Sequence, residues 1–445
     1  MNADVIICGS GPSGICAALS AARKKLKVLL IEKNGYVGGN NTAGLVGPFM
    51  TFHSGNTQVI KGIAQEIVDE LIKKQASIGH VKDIIGQCAT VTPFDSNILR
   101  LVYFEMLKKE KNITLLLNTY LSDVKVRNNK IVSIEVVNKD GKSEISAPYF
   151  IDATGDGDLA WNAKVDYDLG RKIDGLSQPM SIMFKVGGVN LKETRAYIKK
   201  HPESIVWEDG VSINEYLGVS GFCKEINKAK KTGEFTIPRD RVLFFESTNP
   251  NEIIMNTTRI IEKSGVNAKD LTDATMEGYR QIDELMTFMK NHIPGFKDAY
   301  IVQIADQIGV RESRRFKCIE TLTIKHVMEK GTTKNSIAVC AYPMDIHDPK
   351  GAKINSINAS YDFAYEIPYG VMVPHKITNL LITGRCISAE HEALASVRTS
   401  PTMMALGQAA GTAARQCVRE NKSFKDVDIR KLQKELIKDG AIVFK

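Results

Sequence analysis

Residues 4–14 read Asp4-Val5-Ile6-Ile7-Cys8-Gly9-Ser10-Gly11-Pro12-Ser13-Gly14, and the fold turns on how that stretch is read. Val5 to Cys8 is a short, wholly apolar run, the composition of a parallel strand buried on both faces. From Ser13 to Lys25, residues Ile15, Ala18, Leu19 and Ala22 fall at helical spacing. Val28 to Ile31 repeats the apolar run and ends at Glu32. Strand, glycine turn, helix and strand make a βαβ unit. In such a unit Gly9 permits the tight turn, Gly11 lets backbone approach a pyrophosphate, and Gly14 allows close helix–strand packing. The helix N-terminus brings unpaired N–H groups and partial positive charge to phosphates. Glu32 lies eighteen residues beyond Gly14, where a carboxylate accepts hydrogen bonds from ribose hydroxyls. The unit predicts dinucleotide binding.

Working outward, helical patterns cover Gln58 to Lys74 and Asp95 to Lys109, and a strand covers Thr114 to Leu117. Leu121 to Ala147 reads as a three-stranded meander, with turns at Asn128-Asn129 and Asp140-Gly141. It feeds a buried strand, Tyr149-Phe150-Ile151, that stops at Ala153-Thr154-Gly155-Asp156. Beyond it the character changes. Strand-like runs (Met180 to Val186, Arg241 to Phe245) mix with helices, the clearest from Ala274 to Asn291 before Pro294-Gly295. The buried-strand pattern returns at Leu380-Leu381-Ile382-Thr383-Gly384, followed by a helix over Pro401 to Val418. The expected fold class is therefore α/β. A Rossmann-like nucleotide-binding domain is formed by residues 1–165 and 375–445, and an α+β substrate or cap domain is inserted at 166–374.

Composition sets outer bounds. The chain has 445 residues, 43% hydrophobic and 25% charged, with a net charge of +8, as expected of a globular protein of two or three domains. The basic runs are short, so nucleic acid is not an expected partner. Eight cysteines are scattered without a C-x-x-C pair, which argues against zinc and against a ferredoxin-type cluster. No metal site is expected. The chain opens directly into a strand, and no apolar run is long enough to span a bilayer, so a cytoplasmic location is expected.

Three further segments separate FAD from NAD. Gly38-Gly39-Asn40-Asn41-Thr42 lets backbone run beside an elongated cofactor just past the ribose acid. Asp152-Ala153-Thr154-Gly155-Asp156 ends a buried strand in small residues after a meander. Gly384-Arg385-Cys386-Ile387-Ser388 precedes a helix opening at Ser400-Pro401-Thr402, whose dipole favours negative charge on a reduced flavin. Together, GSGPSG with Glu32, GGNNTAGLVG, FIDATGDGDLA, IGVRESRRF, YEIPYGVMVP and LLITGRCISAEHEALASVR resemble the FAD-dependent oxidoreductases related to fumarate-reductase and heterodisulfide-reductase-A-like flavoproteins. The matching pieces cover roughly a third of the chain. The resemblance implies one FAD, held non-covalently by Gly9, Gly11, Pro12, Ser13, Gly14, Glu32, Lys33, Gly39, Asn40, Asn41, Thr42, Ala153, Gly155, Asp156, Gly384, Arg385 and Ser388. Val124 would meet the adenine through its backbone. The iron–sulfur cysteines of some relatives are missing. Val186-Gly187-Gly188-Val189 has the wrong spacing for a second nucleotide motif.

Catalytic candidates are fewer. Arg311, Arg314 and Arg315 fall in an expected strand, with Arg311 and Arg315 on one face. They read either as a guanidinium fork for a substrate carboxylate or the flavin edge, or as structural partners of Glu312 and Glu320. His391 and Arg398 follow the Gly384 turn. His391 reads as an acid–base group or a structurally bonded histidine, and Arg398 as a counter-charge to reduced flavin. Tyr361, Phe363, Tyr365 and Tyr369 read as pocket lining or as core. The expected function is hydride transfer between flavin N5 and a small organic substrate, with an external electron acceptor or carrier. Reduction of activated double bonds and a turnover-free electron-transfer component are the alternatives.

Overall fold

The computed structural model describes residues 2–206, 216–352, 354–356 and 361–445, the three residues 354–356 by backbone only. Its centre is a parallel sheet in the order Leu380–Ile382, Tyr149–Asp152, Val5–Cys8, Val28–Ile31, Ile113–Leu116. The first four are buried along their whole length, which is why they read as unbroken apolar runs. From Val5–Cys8 the chain steps outward through Val28–Ile31 to Ile113–Leu116, then returns to the opposite side. Strand order reverses there, and the carboxyl ends of Val5–Cys8 and Tyr149–Asp152 flank a crevice at that switch point. The fifth strand comes from residue 380, so both ends of the chain build one sheet.

The helix Pro12–Arg23 packs on the tail helix Ser400–Glu420 at backbone distance. A Cβ added at Gly407 would lie 2.1 Å from the Ser13 carbonyl oxygen, and one at Gly411 would lie 2.3 Å from that of Ala17. Ser20 Oγ donates to the Gln408 carbonyl at 3.0 Å. This close packing ties the carboxyl-terminal segment to the glycine turn.

The meander forms over Tyr120–Arg127, Lys130–Asn138 and Gly141–Ile145. Asn128 and Asn129 have φ of 48° and 60°, the paired positive values of a hairpin turn that matches strand twist. A second, antiparallel sheet has six strands drawn from residues 184–304. Phe184, Phe244, Met255, Leu285 and Met289 fill its separate core under the long helix Ala268–His292. That helix starts six residues before the expected Ala274, because the Asn267 side chain accepts from Asp270 N and caps it. The second sheet is narrower than the 166–374 expected for the insert. Leu322, Ile337 to Tyr342 and Phe363 to Val373 pack instead into the main core with Ile15, Tyr103 and Leu406.

One local reading is corrected and another is resolved. The strand expected to hold three arginines covers only Arg314–Phe316, paired with Tyr167–Leu169, and Arg311 lies before it. Phe363, Tyr365 and Tyr369 are core residues, and Tyr361 is exposed and bonded to Asn56. Burying a ring against the main core stabilises more than half-exposing it in a pocket.

Candidate active site and nucleotide crevice

The glycine turn is shaped by contact. Gly9 has φ +95°, and a Cβ there would lie 2.4 Å from the Ala153 carbonyl oxygen, so glycine alone suits the position. A Cβ on Gly14 would fall 1.9 Å from the Gly9 oxygen. Gly11 is different: a Cβ there would meet nothing within 4 Å. Open space therefore lies over the turn. Pro12 begins the helix, no side chain caps it, and its first turn holds no acid. The N–H groups and partial positive charge of that end remain for whatever fills the space.

Glu32 is buried and oriented. Its Oε2 accepts from Ser10 N at 2.9 Å and Ser10 Oγ at 2.7 Å, and its Oε1 accepts from Asn34 N at 2.9 Å. A carboxylate has about four acceptor positions, so capacity for a hydroxyl remains. Lys33 beside it is exposed. Gly39 folds over the turn, with its Cβ position 3.1 Å from Gly11 Cα. Asn41 and Thr42 face into their own loop, donating to the carbonyls of Val46 at 2.8 Å and Val37 at 2.6 Å. Asn40 Oδ1 accepts from Gln307 Nε2 at 3.2 Å, which joins this loop to the chain leaving the second sheet.

On the other side of the crevice, Ala153 N donates to the Cys8 carbonyl at 2.8 Å. Buried Asp152 receives Thr154 N and Ala160 N at 3.0 and 2.8 Å, and burial raises its carboxyl to about 6. Asp156 pairs with Arg385 at 2.5 Å, and the Arg385 guanidinium lies over Gly155. Ser13 Oγ and Thr383 Oγ1 share a hydrogen bond of 2.7 Å, which seats the Gly384 turn beside the helix N-terminus. Val124 sits in the edge strand of the meander, with its N–H given to Asp123 Oδ1 at 2.8 Å. Ser388 is buried in a seam: its hydroxyl meets Thr321 Oγ1 at 2.9 Å and its N–H donates to the Val371 carbonyl at 3.0 Å.

A cavity of about 390 Å³ opens where this crevice meets the second sheet. Asn40, Arg385, Arg398, Thr399 and Ser400 line one wall; Met183, Arg239, Arg241, Leu243 and Phe245 line the facing wall. Gly309 to Arg311, Tyr342, Asp345 and His347 close the sides. Arg311 and Arg398, both singled out from sequence, meet here. Arg314 and Arg315 do not: Arg314 pairs with Asp158 at 3.0 Å, and Arg315 pairs with buried Glu312. His391 lies outside the lining, with Nδ1 on Glu312 Oε1 at 2.8 Å and Nε2 buried with no hydrogen-bond partner among the described residues.

Sequence reasoning missed Arg239, Tyr342, Asp345 and His347. The alternation Asp345-Ile346-His347 puts both polar side chains on one strand face, a signal that was present but weak. Arg259 Nη1 donates to His347 Nδ1 at 3.0 Å. Since a guanidinium cannot accept, Nε2 carries the imidazole proton and donates to Asp345 Oδ2 at 3.2 Å. Tyr342 Oη donates to the same oxygen at 3.3 Å. Burial alone would raise Asp345, but His347, Arg398 and Arg311 hold its carboxyl well below the usual range. Burial pushes His347 down to about 3, against the raising pull of Asp345 and with the charges of Arg311 and Arg239 adding to the fall.

The sign of a pH effect follows. An unfolded histidine titrates near ~6.5. Between that value and about 3 the unfolded chain takes up a proton that folded His347 refuses, so stability is full above the upper value and falls as pH drops. Each pH unit in that window removes up to about 1.4 kcal/mol. His347→Gln keeps a donor and an acceptor, so its urea-unfolding free energy should decline less steeply with acidification than that of the unaltered protein; parallel profiles would refute this.

The family model for FAD dependent oxidoreductases matches residues 4–436, nearly the whole chain. The chain belongs to that family. A 71-residue stretch is 41% identical to thiamine thiazole synthase of Aeropyrum pernix, covering 16% of this chain and 24% of that protein. The match thus spans about a quarter of that relative's length. Among solved structures, a geranylgeranyl bacteriochlorophyll reductase-like protein of Thermoplasma acidophilum is 13% identical, with a TM-score of 0.49, over 99% of this chain and 84% of that one. The flavin-dependent brominase Bmp2 is 13% identical, with a TM-score of 0.49, over 98% of this chain and 83% of that one.

The crevice of this FAD-dependent oxidoreductase family member fits the family's cofactor on its own geometry. The space over Gly11 is large enough that a Cβ touches nothing, beside an uncapped helix end. Glu32 is fixed at the second strand with an acceptor to spare. Among the described residues no helix is long and apolar enough to cross a membrane.

Proposed function

We propose that the chain is an FAD-dependent oxidoreductase acting on a small organic substrate held in the cavity between the crevice and the second sheet. FAD, when bound, supplies hydride transfer at flavin N5. Gly9, Gly11, Pro12, Ser13 and Gly14 would seat the pyrophosphate, Glu32 a ribose, and the Gly39-Asn40, Ala153 to Asp156 and Gly384-Arg385 turns the rest. The carrying observation is that Asn40, Arg385, Thr399 and Ser400, from the loop over the glycine turn, the Gly384 turn and the start of the tail helix, line the cavity, so that the cavity adjoins the crevice.

This chain's own residues have separable tasks in that reading. The N-terminus of Ser400–Glu420 abuts the cavity at Thr399 and Ser400, and its dipole favours negative charge there. Arg311 and Arg398 orient the substrate. Met183, Leu243 and Phe245 keep water from it. Tyr342 Oη, hydrogen-bonded to Asp345, is placed to give or take a proton at the cavity wall. The second sheet, drawn from residues 184–304, contributes the cap. Likeness to fumarate-reductase-type flavoproteins, and hence double-bond reduction, is part of this proposal and is tested with it.

The purified chain should be yellow and should release FAD on acid denaturation. Anaerobic reduction should bleach it, and one class of small acceptor (an enoate, a quinone or oxygen) should restore the colour faster than the others. A colourless chain that takes up no added FAD would end the proposal.

A further inference from the structure

Among the described residues, the cavity carries more positive charge than the carboxylates beside it balance. Five arginines line it: Arg239, Arg241, Arg311, Arg385 and Arg398. Arg241 is paired with Asp240 at 3.0 Å and Arg385 with Asp156 at 2.5 Å. Among the described residues, none of Arg239, Arg311 and Arg398 has a carboxylate in ion-pair contact, and the hydrogen bonds of Arg239 and Arg311 go to neutral groups. Arg239 donates to the Asn256 carbonyl at 3.3 Å and Arg311 to the Pro179 carbonyl at 2.7 Å. The Nε atoms of Arg239 and Arg398 are buried without a partner.

Asp345 is the sole lining carboxylate among the described residues, and it already receives Tyr342 and His347. Glu312, the next carboxylate toward Arg398, is engaged by Arg315 and His391. Among the described residues, five guanidinium charges stand against three carboxylates, an excess of two. The arginines feel each other: burial and the charges of Arg398 and Arg239 push Arg311 well below its usual range, and burial with Arg259 pushes Arg239 to about 10. Unpaired buried charge is strongly unfavourable, so this arrangement is stable in use only when a ligand brings the missing anions.

Resting on the function proposed above, we infer that the substrate is a small organic dianion. One anionic oxygen group, carboxylate or phosphate, meets Arg239 on the sheet wall. The second meets Arg311 and Arg398 beside the tail helix. Guanidinium forks match either group in two-point geometry. Met183, Leu243, Phe245 and Val310 of the lining cover the apolar skeleton between them.

The test titrates the FAD-loaded protein with succinate, glutarate, inorganic phosphate and, as a monoanion control, propionate, by calorimetry and by visible absorbance. A dianion should bind roughly tenfold or more tightly than propionate, and the winning probe separates carboxylate from phosphate. Arg239→Met and Arg311→Met should each remove most of that preference. Arg311→Lys, which keeps the charge without the fork, should remove part of it and guards against a folding defect. Equal binding of mono- and dianions, or a preference that survives both methionine variants, would overturn the inference. Calorimetry reads the anion and absorbance reads the flavin. A colourless protein that still prefers dianions would sink only the flavin reading, and a yellow protein indifferent to charge would sink only this one.

Discussion

Gly11→Val should leave the apoprotein melting within about 1–2 °C of the unaltered apoprotein, as a substitution that collides with nothing does, and should strip the purified protein of its flavin. The reason is geometric. A Cβ at Gly11 meets no atom within 4 Å, so the folded chain tolerates valine, while the added carbons occupy the space over the helix N-terminus. Gly14→Val is the contrast. Its Cβ would stand 1.9 Å from the Gly9 oxygen, so the turn or the helix must move, at a cost of about 1–3 kcal/mol or more. That variant should lose both flavin and melting temperature. Flavin content after gel filtration and melting of both apoproteins decide the matter. Were Gly11→Val to hold FAD normally, the cofactor would not lie over this turn.

Asp345→Asn should lower unfolding free energy by about 1–3 kcal/mol, because the buried Arg311 and Arg398 charges lose the carboxylate that acts on them through space. The amide oxygen can still accept from Tyr342 Oη and His347 Nε2, the donors that Asp345 Oδ2 serves now, so the change isolates the charge. Its removal leaves Arg311 and Arg398 without the one lining carboxylate among the described residues that answers them. The loss should be partly recovered by sulfate or phosphate in the buffer, which restores the missing anion by binding only the folded state. Urea unfolding with and without added sulfate measures both effects. A neutral substitution would mean that the arginines are compensated elsewhere.

The nucleotide half was legible because its signals are local. Apolar runs at Val5 to Cys8, Val28 to Ile31 and Leu380 to Ile382 need only burial on both faces, and all three lie in the parallel sheet. The glycine spacing from Gly9 to Gly14 needs only a turn before a helix. The meander turn at Asn128-Asn129 rests on two residues that tolerate positive φ. Where the sequence left two readings open, competition between distant partners decided. Arg314 and Arg315 read as a substrate fork or as structural partners, and Asp158 and Glu312 claim them. The side chains of Asn41, Thr42 and Ser388, read as cofactor contacts, are bonded within the protein, which leaves their backbone to meet a cofactor. Tyr365 and Tyr369, read as core more readily than as pocket lining, lie in the main core.

Sequence by itself determined that a βαβ turn built for phosphate opens this chain and that its tail returns to the same sheet, because glycine spacing and hydrophobic periodicity act over a few residues. Tertiary structure alone decided the cavity. Arg239, Arg311, Asp345 with His347, and Arg398 come from four separate segments; Arg311 and Arg398 drew notice in the sequence, while Arg239, Asp345 and His347 did not. They become one charged pocket only when the second sheet docks over the crevice, and the field they share depends on that docking rather than on any run of sequence.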